Sequence, residues 1–277
     1  GGTYQRITEL KNVKTKIIGF TATPYRLDNG AIYGKDRIFK EVIYNVPFNE
    51  LEKQGFLVPL DYHVNKAFTE TIDRIRESKG LDNRFNQEAS KPIFLQAVAD
   101  VILENQLKQT IIYATCIEHG ELILKILRES GLKADIVHSK QKNTSQVKID
   151  SLKNGEIDYL INVNILTTGF DFPALSSIII ARPTESKSLY IQMLGRATRI
   201  CEGKSKGVVY DLVNNFERFG GIDDGATPIL FTPKNMKEEL GVIREKEERE
   251  EKEKKEFEET RNVEFKAISS GKTYGVG

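Results

Sequence analysis

The residues best placed to do chemistry lie between Leu160 and Ile200. In Gln192-Met193-Leu194-Gly195-Arg196-Ala197-Thr198-Arg199, the residues Gln192, Arg196 and Arg199 fall at i, i+4 and i+7, one stripe of a helix. Two guanidinium forks on one face suit a phosphate, because the group is always charged and binds oxyanions bidentately. Gly195 costs about 1 kcal/mol relative to Ala in a helix interior. A Gly beside an Arg therefore points to close backbone approach by something else. Upstream, Thr167-Thr168-Gly169-Phe170-Asp171 follows the apolar run of Leu160, Ile161 and Val163. It places two hydroxyls, a Gly and a carboxylate at the carboxyl end of a strand, where ligands bind in open parallel sheets.

These groups need a scaffold, and the pattern predicts one. Ser188 is a candidate N-cap for the arginine-bearing helix, with Leu189, Met193 and Ala197 as its apolar stripe. Strands are expected over 109–114, 133–138, 160–164, 177–182 and 207–213. Helices are expected over 94–107, 117–129 and 145–153, the latter two closed by Gly131 and Gly155. Such alternation implies a parallel sheet with helices on both faces. Before it, Lys16–Thr21 reads as a short strand, 49–54 as a short helix, and 58–68 as a strand leaving a preceding unit. Residues 69–89 are polar, suited to a connection. Arg244–Glu256 holds no apolar residue and interleaves Glu with Lys and Arg, as in a solvated helix held by i,i+4 pairs.

Composition narrows the class. Lys+Arg 41 against Asp+Glu 40 gives a net charge of +1 in 277 residues, so any nucleic-acid surface must be local. Cys116 and Cys201 are too few for a disulfide framework or a four-cysteine zinc site. Cys116 and His119 lie three apart without a second ligand pair, so no metal site is expected. His138 reads as structural, and His63 carries no signal. No apolar run approaches membrane length, and the reading is cytoplasmic with no membrane partner.

Gln192–Arg199 resembles the Q-x-x-G-R-x-x-R helix, motif VI, of superfamily 2 helicases. Thr167–Pro173 is similar to their motif V and Gly19-Phe20-Thr21-Ala22-Thr23-Pro24 to motif III, in the same order and spacing. Tyr113–Glu118 has the general form of motif IV. The run Arg182–Arg199, with Val209-Tyr210-Asp211-Leu212 and Asn215–Gly220, looks most like the RadD-like branch of DNA repair helicases. It is less similar to DEAD-box RNA helicases, whose corresponding helix reads H-R-I-G-R. The resemblance spans roughly residues 1–225, and the cysteine-rich C-terminal element frequent in RadD-like proteins has no counterpart here.

The resemblance implies a RecA-like parallel sheet flanked by helices, the second helicase lobe, over 90–225. Residues 1–68 would be the truncated end of a first RecA-like lobe, 69–89 the inter-lobe linker and 226–277 a charged helical extension. It implies that Arg196 and Arg199 reach terminal phosphates of ATP with Gln192 orienting them. It further implies that Gly169 and Asp171 approach the nucleotide, that Thr167 and Thr168 contact the nucleic-acid backbone, and that Thr21 and Thr23 couple the two sites. The partners would be DNA, single-stranded or forked, rather than RNA, and a first lobe missing from this chain. The first residue is Gly and a mid-protein motif follows closely, so the chain reads as a fragment, inactive alone as an ATPase. Ser270-Gly271-Lys272-Thr273 imitates a phosphate-binding loop, but Lys266 stands where its first Gly belongs. No acidic D-E-x-x box is present either, so Mg2+ would be held by residues outside this chain. The alternatives are a restriction-system motor subunit, an RNA helicase, or a non-catalytic nucleic-acid-binding module. On the plainest reading, the two arginines simply pair with acidic neighbours such as Glu185 or Glu202.

Overall fold

The computed structural model describes residues 16–26, 30–35, 37, 39–67, 85, 87–141, 144–165, 170–223, 225–233, 236–237, 241 and 249. The expected helix over 244–256, apart from Arg249, and most of the 69–89 connection lie outside them.

The elements follow in chain order. A two-stranded antiparallel hairpin, β1 (Tyr25–Arg26) and β2 (Gly30–Ala31), precedes α1 (Phe48–Lys53). Then come β3 (Leu60–Asn65), α2 (Pro92–Asn105), β4 (Thr110–Tyr113), α3 (Ile117–Glu129), β5 (Ala134–His138) and α4 (Ser145–Lys153). The remainder is β6 (Tyr159–Val163), β7 (Ser177–Ile180), α5 (Lys187–Ala197), β8 (Gly207–Asp211), α6 (Asn215–Phe219) and β9 (Ile229–Phe231).

Seven of the strands form one parallel sheet in the order β5-β6-β4-β7-β8-β3-β9. Every residue of β4, β6 and β7 is buried, which is why those strands read as unbroken apolar runs rather than alternating ones. α3 and α4 pack against β5 and β6, α2 packs on α3, and α5 covers β7 and β8. This is the RecA-like arrangement expected.

Two strands extend the sheet beyond the five expected from periodicity. The strand anticipated over 58–68 forms at Leu60–Asn65, but it does not leave the sheet's neighbourhood for another unit. It inserts beside β8, pairing Leu60 with Gly207 and Val64 with Asp211. Nor is it an exposed edge, because β9 pairs along its other side from His63 to Asn65. The sheet thus draws strands from before residue 90 and after residue 225. Phe85, buried and edge-on to Phe94 at 6.1 Å, ties the end of the presumed connection to α2.

Candidate functional site

α5 exists because Tyr190, Met193, Leu194 and Ala197 bury one face against the sheet. It begins two residues earlier than its spacing suggests. Ser186, not Ser188, is the N-cap, and its Oγ accepts from the Leu189 N–H at 3.1 Å. It ends at the C-cap Thr198, so Arg199 lies past the helix rather than on its stripe. There Arg199 forms an antiparallel bridge with Leu57, and the Val58 N–H donates to the Thr198 carbonyl at 2.7 Å. Gly207 permits this junction: a Cβ there would sit 2.3 Å from the Ala197 carbonyl oxygen and 2.7 Å from Leu60 Cδ2.

Both arginines are nevertheless brought together. Arg196 Nη1 donates to the Phe170 carbonyl, and Arg199 Nη1 donates to the same oxygen at 3.0 Å while pairing with the Asp171 carboxylate. Asp171, expected at the nucleotide, is here the partner of an expected phosphate ligand. The acidic neighbours do not fill that role. Glu185 pairs with Arg218 instead. Burial lowers the Arg196 guanidinium from its ordinary value, Arg199 adds to this, and Tyr113 and Asp171 oppose it. Tyr113, at the end of β4, is fully buried, and its hydroxyl finds no hydrogen-bond partner among the described residues. Burial pushes that phenol up, against the pull of Arg196 and then Arg199. Beside the arginines, a Cβ on Gly195 would meet nothing within 4 Å. No described part of the chain uses the space this glycine leaves.

A second cluster joins Gln192 to the N-terminal segment. Gln192 Nε2 donates to Ser188 Oγ at 3.3 Å, and that hydroxyl donates to Thr23 Oγ1 at 2.9 Å. Thr21 Oγ1 accepts from the Thr23 N–H at 3.1 Å, so Thr21, Thr23 and Gln192 share one hydrogen-bonded chain through Ser188. Thr167, Thr168 and Gly169 lie outside the described residues.

Three supporting residues carry no chemistry visible in the sequence. Asn215, fully buried, accepts from the Thr184 N–H and donates to the Arg182 carbonyl, each at 3.1 Å, fixing the approach to α5. Asp211 caps α6 by accepting from Phe216 N at 2.8 Å and Val213 N at 3.1 Å. Lys204 Nζ donates to the Leu175 carbonyl at 2.6 Å and the Pro173 carbonyl at 3.2 Å. The Asp211 and Asn215 positions fall in a recognisable run, but their partners are distant in sequence. In the first turn of α3, His119 is buried, and its Nδ1 lies 2.9 Å from Thr115 Oγ1 and accepts from the Thr115 N–H at 3.3 Å. Burial lowers its pKa to about 4. Among the described residues no cluster of three His, Cys, Asp or Glu could hold a metal, and no helix is long and apolar enough to cross a membrane.

Residues 94–201 match the family model of the helicase conserved C-terminal domain. The Saccharomyces cerevisiae protein IRC3, named provisionally as an ATP-dependent helicase, is 27% identical over 209 residues, covering 72% of this chain and 30% of its own length. The type I restriction enzyme EcoKI endonuclease subunit of Escherichia coli K12 is 25% identical over 276 residues, covering 83% of this chain and 22% of its own. Among solved structures, a fragment from Vibrio vulnificus YJ016, provisionally described as the HsdR subunit of a type I restriction enzyme, superposes with a TM-score of 0.55 at 21% identity. It covers 69% of this chain and 39% of that one. The chain spans 30% to 47% of the length of the first three curated relatives it matches. Model match, relatives and sheet point the same way: residues 94–201 are similar to the helicase conserved C-terminal domain, and the sheet that carries them has the RecA-like arrangement.

Proposed function

We propose that this chain provides the second lobe of an ATP-dependent DNA translocase or helicase, of RadD-like type. The observation that carries the proposal is the convergence of Arg196 and Arg199 on the Phe170 carbonyl, with Arg199 also paired to the exposed Asp171 carboxylate, beside the open space at Gly195. A phosphate outcompetes the carbonyl because contacts between charged partners are roughly twice as strong as those to a neutral acceptor, and it can displace Asp171 because that pair is exposed and weak. The residues present thus fit the terminal phosphates of a nucleotide. ATP, when bound, supplies the phosphoanhydride whose hydrolysis drives movement. The chain's own residues hold and neutralise: Arg196 and Arg199 act as arginine fingers, which contribute about 10³ to 10⁵ in rate. Gln192 orients them, Asp171 and Gly169 approach the nucleotide, and Thr167 and Thr168 take nucleic-acid phosphates, contacts that position without reading sequence. The Gln192–Ser188–Thr23–Thr21 chain supports a coupling role for Thr21 and Thr23, since any turn of α5 pulls on it.

Residues 1–57 are then the remainder of a first lobe, whereas 69–89, expected as the inter-lobe linker, connects β3 to α2 within the second, and β9, from the expected tail, belongs to its sheet. The large exposed side chains Phe20, Ile43 and Tyr44, at 95%, 78% and 80% exposure, are in keeping with this, since a first lobe would supply groups to cover them. Phosphate-cradling and Mg2+-holding groups come from residues outside this chain. The preference for DNA rests on the Q-x-x-G-R pattern. The test is ATP hydrolysis by this chain joined to a RecA-like first lobe, with single-stranded DNA or RNA of equal length. Stronger stimulation by DNA is expected, with negligible hydrolysis by the chain alone. Stimulation by RNA only, or robust hydrolysis by the chain alone, would overturn the proposal. The EcoKI relative covers most of this chain, which favours one second reading, a restriction-system motor.

A further inference from the structure

Three cations grip the segment that leads from β6 to β7. Arg196 and Arg199 hold its start through the Phe170 carbonyl, and Lys204 holds its close through the carbonyls of Pro173 and Leu175. Between these points Phe170, Phe172 and Leu175 are buried, with the two rings edge-on at 6.3 Å. Lys204 is not on α5. It follows the turn at Gly203, whose φ of +76° suits glycine, and its own N–H closes that turn on the Cys201 carbonyl at 3.0 Å.

The two kinds of grip differ in what could replace them. Asp171 is largely exposed, so the arginine contacts can be exchanged for a phosphate. Lys204 faces a pair of backbone carbonyls in a partly dehydrated setting. Burial draws its ammonium down to about 8, with Cys201 opposing and Arg199 adding to the shift. An ammonium so placed uses those carbonyls in place of water.

We propose that Lys204 is a positioning residue that anchors the Phe170–Leu175 segment independently of the arginines, so that both can leave for a phosphate without the segment losing register. The purpose of the anchor, though not its existence, rests on the reading of Arg196 and Arg199 given above.

Amide hydrogen exchange on the full 277-residue chain tests it. The probes are the Leu175 N–H, which donates to Phe172 O at 3.1 Å, and the Ser176 N–H, which donates to Gln109 O at 3.3 Å. In Lys204→Met these amides should exchange about tenfold faster or more, with β4 and β8 unchanged, as for a local opening. Lys204→Arg, which keeps the donors, should restore protection, and Lys204→Leu, which also lacks donors, serves if the Met variant does not fold. Adding sodium tripolyphosphate should loosen the segment further in Lys204→Met and leave the wild type protected. Equal exchange in wild type and Lys204→Met, or loosening spread through the whole sheet, overturns the assignment. Faster exchange in Lys204→Met that tripolyphosphate does not alter upholds the anchor and counts against the phosphate role of the arginines.

Discussion

Two glycines within reach of α5 should respond to the same substitution with opposite signs. At Gly207 an added Cβ lies 2.3 Å from the Ala197 carbonyl oxygen. That oxygen would have to retreat by about 1 Å to reach the ~3.3 Å of the closest C–H···O contacts. The atom is backbone, tied to the end of α5, so it cannot simply rotate away. Overpacking of this kind costs about 3 kcal/mol at the upper end of its range, offset by about 0.5 to 1 kcal/mol from a less flexible unfolded chain. Gly207→Ala should therefore destabilise by about 2 kcal/mol. At Gly195 nothing lies within 4 Å of the added atom, and the helix should gain about 1 kcal/mol. Urea unfolding of the two variants beside the wild type reads both effects as midpoint shifts at unchanged slope. The midpoints should rank Gly195→Ala, wild type, Gly207→Ala. A neutral Gly207→Ala or a destabilised Gly195→Ala would refute the geometry of the α5 end. In a two-lobe protein, the stabilised Gly195→Ala should also hydrolyse ATP more slowly, because the space it fills is left for a partner.

Other tests follow from single groups. His119 has a folded pKa of about 4 because burial disfavours its charged form. Its ordinary value is about 6.5, so the unfolded chain binds the proton more tightly between those values. Its contribution is fully present above about pH 6.5 and falls by about 3 kcal/mol as pH drops to about 4. His119→Gln should flatten that part of the stability profile, and an unchanged slope would contradict it. Asn215→Ala removes both hydrogen bonds fixing residues 182–184. It should cost about 2 to 3 kcal/mol in urea unfolding. Asp171→Ala breaks an exposed pair with Arg199 and should change stability by less than about 1 kcal/mol. In a two-lobe protein it should still weaken ATP use, as a raised KM would show.

What could be read from local pattern was the middle of the lobe. α3 and α4 occupy 117–129 and 145–153, as amphipathic spacing and the closing glycines 131 and 155 predict. The central strands are apolar runs long enough to be unambiguous. What escaped depends on residues far apart in sequence. β3 looks like a strand from its own residues, but only pairing with Gly207–Asp211 says which sheet it joins. β9 is three residues long, too short for any periodicity. Ser188 satisfies the rule for an N-cap as well as Ser186 does, and it is the contact with Thr23, 165 residues away, that assigns it another task. Arg199 leaves the helix because Leu57 pairs with it. Lys204 is one lysine among many until the carbonyls of Pro173 and Leu175 are seen around it. The arginines were legible because their spacing is itself the chemistry.

Arg196 is the residue on which the proposed chemistry most directly depends. Its measurement is DNA-stimulated ATP hydrolysis by this chain joined to a RecA-like first lobe, with Arg196→Ala alongside. A rate that rises with DNA and falls by about 10³ or more in the variant is the predicted result. A rate indifferent to Arg196 would contradict the arginine-finger reading and leave the RecA-like lobe without its proposed chemistry.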